Sequence, residues 1–518
     1  MAGVKRVRKR KVQNLFRCLV CLVVILVSVG EYVKTVEAAP LSQTPRKIEE
    51  FKHLLDEQVP VWQDKYDVPG LTVGIVHEGR VAYLLNYGYA DKKNKIELTD
   101  QTLFQAGSIS KSVTAWGVLK LVEKGLVSLD DPVEKYLTSW KLPDAKFNPD
   151  EVTIKRLLSH TAGLSAHKGY LGTAPQSRLS SIEDSLNGKG LFNEPVRITD
   201  TPGEKEVYSG GGYTILQLVI EEVTGMAFER YMEEEVLKPL GMDSSSFHQD
   251  PNDPRMSKAY GYFGQELPNY QFTEQAAAGL KTNSTDMMKL ILASMDHLNR
   301  MQGNGLLENE LVEEMQQPVI GESGLGVFIR KLSEEQTFIY HSGDNRGWHS
   351  LYGFIPETKE GLVILTNSDN GIDLRQDIYH AWIEYVTGSL PEGHSSLTQS
   401  RTNNFILSIS IGTLFGIYVI MFGIRMATGR RVFFTKLKDK YVVKLGCRTL
   451  LLVAAGALLF YASYVWQILN LSSGRKDYVM LILAWLFVLV LTGFYPKKRK
   501  LKSPERSSFN NPISLNPE

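Results

Sequence analysis

A hydroxyl and an amine stand three residues apart in FQAGSISKSVTAWGVLKLVEKG, Phe104 to Gly125. Ser108 and Lys111 open an apolar helical pattern, and residues i and i+3 of a helix share a face. Ser108 falls near the start of that pattern, where backbone N–H groups and the helix dipole favour negative charge. A serine hydroxyl is a weak nucleophile until a base takes its proton. A lysine amine can be that base once burial or a neighbouring cation brings its pKa down from about 10.4 towards neutrality. The spacing supplies geometry, and the surroundings must supply the pKa. Taken alone, the pair also fits an ordinary helix N-cap followed by a solvated lysine. Other chemistries have less to work with. The three cysteines are Cys18, Cys21 and Cys447. The Cys18-x-x-Cys21 pair lies inside an N-terminal apolar run, and no H-E-x-x-H is present, so neither a metal nor another cofactor is expected.

The elements around this pair can be read from periodicity. LTVGIVHEGRVAYLLNYGYAD has two alternating runs around Glu78-Gly79, the pattern of a β-hairpin. Helical patterns follow at Lys111–Lys124, Val152–Leu158, Tyr213–Thr224 and Glu229–Val236. Strand patterns return in GLGVFIRKL, TFIYHSG, WHSLYGFIP and GLVILTNS. Strands at both ends with helices between them predict an α+β fold. Its antiparallel sheet would be built from the two ends of the domain and flanked by a helical subdomain.

Three further segments accompany the Ser-Lys pair in order: TIKRLLSHTAGLS, TPGEKEVYSGGGYTILQLVIEEVTG and YHSGDNRGWHSLYGFIPETKEGLVILTNSDNG. The set resembles the serine hydrolases of the class C β-lactamase and penicillin-binding-protein group over nearly all of residues 45–390. The resemblance implies that Ser108 accepts the acyl group, that Lys111 is its proton partner, and that Tyr208 in YSG shuttles a proton to the leaving group as phenol or phenolate. His341-Ser342-Gly343 matches the motif on the strand edging the site. The implied oxyanion hole is the backbone N–H of Ser108 and of Asp344. Two positions depart from common family patterns. Gly210 replaces an Asn that touches the substrate amide, and position 341 is His rather than Lys, a poorer magnet for a substrate carboxylate. SDN at Ser368–Asn370 copies a class A β-lactamase motif in the wrong order and reads as a turn. His160 reads as structural, with Gly163 ending a helix.

The 518-residue chain has a formal net charge of +1, which argues against nucleic acid as a partner. Its basic clusters instead flank apolar runs. Residues 1–39 read as a signal peptide, with an uncleaved anchor as the alternative. The hydrolase domain spans 40–390, a linker 391–404, and three transmembrane helices about 405–424, 450–471 and 478–495, followed by a basic tail at 497–518. The Arg- and Lys-rich loop between the first two spans and the basic tail place both in the cytoplasm and the hydrolase domain outside. The exported domain lacks cysteine, hence disulfides, and must be held by its core; roughly 350 residues suffice for that.

Signal, hydrolase domain and three spans together resemble membrane-bound peptidases that mature prodrugs of the colibactin and zwittermicin type. That likeness implies removal of an N-acyl-D-amino-acid cap, with D-Asn as the acyl-bearing residue. The expected partners are an acyl-D-aminoacyl peptide or prodrug substrate and the membrane, with the spans also available for a homodimer or an exporter contact. Two other readings stand: a D-Ala-D-Ala carboxypeptidase, endopeptidase or esterase of the same group, and a non-catalytic sensor of wall peptides or β-lactams.

Overall fold

The structure is a computed structural model. It describes residues 47–143, 146–166, 170–189, 194–296, 306–431, 446–454, 456–457 and 473–493. The signal peptide and the basic tail lie outside these residues, as does most of the second apolar run. The chain divides into two units, one covering the described residues up to Ser400 and one beginning at Arg401.

Glu78 and Gly79 both take positive φ (49° and 74°), the left-handed turn that matches the twist of a two-residue hairpin. They join β1 (Gly70–His77) to β2 (Arg80–Asp91). The late strand patterns become β4 (Phe328–Lys331), β5 (Thr337–Asn345), β6 (Trp348–Ile355) and β7 (Glu360–Thr366). With β3 (Ile96–Glu97) they form one seven-stranded sheet in the order β3-β2-β1-β7-β6-β5-β4. Every pairing is antiparallel. β7 sits beside β1, with Leu71 opposite Thr366 and Val76 opposite Gly361. The two ends of the domain therefore meet in the middle of the sheet, as the strand pattern predicts.

Alternation along the strands divides the core in two. Leu71, Val73 and Ile75 of β1 and Leu362 and Ile364 of β7 pack under α1 (Ile48–Tyr66) and α6 (Gly371–Thr387), with Phe51, Leu55, Leu374, Ile378 and Trp382. Val363 and Leu365 face the opposite way, onto the helical region. That region holds α2 (Ser110–Glu123), α3 (Gly210–Thr224), the one-turn α4 (Gln275–Ala278) and α5 (Ser284–Asp296). The periodicity reading omits α1, α5 and α6. It also extends the segment after α3 as one helix, where the chain forms Phe228–Met232 followed by a π-helical turn at Glu233–Leu237.

Towards the C-terminus, α7 (His394–Ala427) is long and apolar enough to cross a membrane. It is the one such helix among the described residues. Tyr418 and Thr492 hydroxyls lie 2.7 Å apart, joining α7 to α8 (Ser473–Gly493), whose apolar stretch Val479–Val490 is shorter.

Candidate active site

Ser108 does not lie within an α-helix. It sits in a tight 3-10 turn, Gly107–Ile109, that runs into α2. Gly107 has φ 55°, and a Cβ there would lie 2.6 Å from Asp344 N. Only glycine lets the turn press this closely on β5. Gly343 is equally confined, because its Cβ would fall 1.8 Å from Ala106 O. These two contacts set the nucleophile beside the Gly343–Asp344 peptide. β4 pairs with β5 only from Thr337 to Tyr340, so the half of β5 holding His341 to Asn345 turns its outer edge to the turn and the site.

Lys111 is not solvated: it is 2% exposed. Its Nζ lies 3.1 Å from Ser108 Oγ and donates to Ala277 O at 2.7 Å. The rings of Tyr208 and Tyr213 flank the amine, with centroids 5.0 and 5.7 Å away. Burial brings the amine down to about 7, the condition that the Ser-Lys spacing alone leaves open. The Ala277 carbonyl is held firmly. The Gln217 amide brackets α4, donating to Thr273 O (3.0 Å) and accepting from Ala276 N (3.1 Å). Thr114 and Asn345 donate to the carbonyls on either side, Ala276 O and Ala278 O.

Tyr208 precedes α3 and is half-buried, like Ser108. Burial raises its phenol well above the usual range, against an opposing hydrogen bond with Ser108. That shift favours the phenol over the phenolate at neutral pH. His341 is 3% exposed. Its Nδ1 donates to Ser342 O at 2.6 Å, leaving Nε2 as the acceptor of a neutral ring. Burial, reinforced by Lys111, takes its pKa down to about 3. Gly210 is buried at the first position of α3, and Thr214 donates to its carbonyl. Asp344 turns its carboxylate away from Ser108, towards Arg375 and His349. Although desolvation pushes that carboxyl up, the Arg375 guanidinium and the hydrogen bond with His349 hold it well below the ordinary range.

His160 belongs to the site more closely than sequence reading suggests. Its ring packs tilted against that of Tyr208, centroids 4.3 Å apart, and its Nδ1 accepts from Ser209 N at 3.2 Å, so it fixes the segment carrying the phenol. Burial keeps it neutral. The expected helix stop at Gly163 is corrected: the helix Ile154–Leu158 ends at Ser159, and His160 itself takes φ 56°. Phe328 completes an aromatic wall, 5.2 Å from His341 and 6.4 Å from Tyr208. The SDN triplet is the turn between β7 and α6, where Asn370 N donates to Ser368 Oγ. The arrangement is a nucleophile beside a neutralisable amine, a phenol in contact with the nucleophile, and backbone N–H groups at a strand edge. It can carry out acyl transfer through a covalent intermediate.

Known proteins agree with this class. The profile of the family described as Beta-lactamase matches residues 46–386. The chain belongs to that family and is a serine hydrolase. It is 25% identical over 412 residues to Protein flp of Staphylococcus aureus (strain MRSA252), covering 77% of this chain and 79% of that protein. Penicillin-binding protein 4* of Bacillus subtilis (strain 168) is 23% identical over 371 residues, 66% of this chain and 78% of the relative. Among solved structures, the octameric penicillin-binding protein homologue from Pyrococcus abyssi superposes with a TM-score of 0.55 and 27% identity, covering 66% of this chain and 78% of that one. D-alanine carboxypeptidase AmpC from Burkholderia cenocepacia shares the fold at 20% identity and a TM-score of 0.52, over 65% of this chain and 99% of that one.

Proposed function

We propose that this chain is a membrane-anchored, extracytoplasmic serine hydrolase that cleaves an amide bond after a D-configured residue. The observation that carries the chemistry is the buried Lys111 amine, brought to about 7 and set 3.1 Å from Ser108 Oγ. Ser108 Oγ attacks the acyl carbon while its proton passes to Lys111 Nζ. The oxyanion is held by the N–H groups of Ser108 and Asp344. The Tyr208 phenol gives its proton to the departing nitrogen and is restored from Lys111. Water then attacks the ester at Ser108 with the same groups in reverse.

Two features shape the substrate. Gly210 and His341 leave the site without the amide side chain and the lysine cation that those positions commonly hold in the family. A neutral imidazole at 341 offers no charge to a terminal carboxylate, which favours a substrate whose scissile bond is followed by further structure. Removal of an N-acyl-D-asparagine or similar cap from an exported prodrug fits that preference. The likeness to penicillin-binding protein 4* favours a second reading, a D-Ala-D-Ala carboxypeptidase or endopeptidase. We place the hydrolase domain outside the cell, held by three C-terminal spans. α7 supports the first, and the hydropathy of 450–471 and 478–495 supports the others.

The test is a panel with Ser108→Ala as control: an N-acyl-D-asparaginyl amide, an acyl-D-Ala-D-Ala peptide and a chromogenic cephalosporin. Turnover of the first alone selects the cap-removing peptidase, and turnover of the second alone selects the wall enzyme. Acylation without turnover selects a sensor and defeats both.

A further inference from the structure

The side chain of Asp344 has no part in the acyl-transfer steps above, yet an imidazole and a guanidinium hold it. His349 lies directly across from Asp344 in the β5–β6 register. Its Nδ1 meets Asp344 Oδ1 at 2.5 Å, and its Nε2 meets Asp369 O at 3.2 Å. Arg375, from α6, brings Nη1 to 2.9 Å from the same Oδ1. That nitrogen also lies 2.7 Å from Ser350 O and 3.3 Å from Gly343 O. His349 and Arg375 side chains are 1% and 11% exposed, whereas Asp344 is 47% exposed. The donors are fixed in the core, and the carboxylate reaches back to them.

The consequence falls on one peptide. The Gly343 carbonyl accepts from Arg375 Nη1 (3.3 Å) and lies 3.2 Å from Ser350 Oγ, whose shorter bond is to Ala106 O (2.7 Å). In a trans peptide the following N–H points the opposite way, and Asp344 N faces Gly107 in the nucleophile's turn. A hydrogen bond accepted by an amide carbonyl strengthens the donor at its other end. We infer that Asp344, His349 and Arg375 form a clamp that fixes and polarises the Gly343–Asp344 peptide as the second oxyanion donor. Their side chains are positioning groups: none touches the reacting atoms, and all act through the Asp344 N–H. This rests on the acyl-enzyme reading proposed above.

The test uses full-length protein in detergent, a p-nitrophenyl ester as substrate and phenylboronic acid as a mimic of the tetrahedral oxyanion. Covalent labelling of wild-type Ser108 by a fluorophosphonate comes first. A wild type that takes no label defeats the acyl-enzyme reading, and the clamp with it. With a labelled wild type, Asp344→Asn should lower kcat about 10- to 100-fold. Boronate affinity should fall by the same factor, while KM and melting temperature stay near wild type. Arg375→Lys, which keeps the charge, should retain more kcat than Arg375→Met. His349→Gln repeats the measurement if Asp344→Asn does not fold. Unchanged kcat, or a kcat loss without the matching boronate loss, overturns the clamp alone. So does a loss shared with KM and melting temperature, which marks a merely structural role.

Discussion

An amine that donates to a single carbonyl and is otherwise walled by tyrosine rings has a lone pair for Ser108 only when it is deprotonated. Its pKa of about 7 therefore predicts kcat/KM rising with pH, about tenfold per unit below 7, and levelling above. A profile flat from pH 5 to 8 would remove Lys111 as the base. The same burial weighs on stability. Between about 7 and 10.5 the unfolded chain binds a proton that the folded chain does not, so stability rises with pH across that window. Lys111→Met should abolish turnover. It should also stabilise the fold by on the order of 1 kcal/mol near pH 7, because desolvation outweighs the hydrogen bond lost to Ala277; thermal melts check this. The Ser-Lys spacing is visible in the sequence because it is local. The Ala277 carbonyl is not, because a backbone acceptor leaves no mark on residue type. His160 could be read as structural but not as the support of Tyr208, since nothing in LLSHTAGL shows which ring it will meet.

The turn carrying Ser108 and the strand carrying Asp344 touch without a side chain between them. Gly343→Ala would force a methyl into Ala106 O, so we expect a loss of about 3 kcal/mol and no acylation; denaturant melts and probe labelling would show both. α4 depends on Gln217 in the same way. Gln217→Leu leaves Ala276 N without its partner and takes one of two donors from Thr273 O, and a loss of ~1–3 kcal/mol is expected. Turnover should fall further than stability alone explains, because Ala277 O moves from Lys111. β6 and β7 were readable as short, largely apolar runs bounded by polar turns, the pattern of strands covered on both faces. α1 hid behind Pro60 and a charged surface. α6 hid behind the SDNG turn that opens it, where the strand pattern of β7 runs straight on into polar residues.

Across the whole molecule, charge and hydropathy set the expected topology more directly than the described coordinates do. Removal of residues 1–39 would leave Cys447 as the sole thiol. It is exposed and lies between the first two apolar runs, on the side assigned to the cytoplasm. A membrane-impermeant maleimide should therefore leave it unmodified in intact cells and modify it after lysis; labelling in intact cells would invert the topology. The order of the sheet carries one more consequence. β1, the first long strand of the domain, waits for β7 as its neighbour, and nearly three hundred residues separate the two. Every apolar side chain along that interval must be kept from neighbouring chains during translocation. On the proposed topology, Thr366 precedes the apolar segment at Phe405 by about forty residues. On that topology the sheet would close only shortly before the chain is tethered, within reach of the lipid surface.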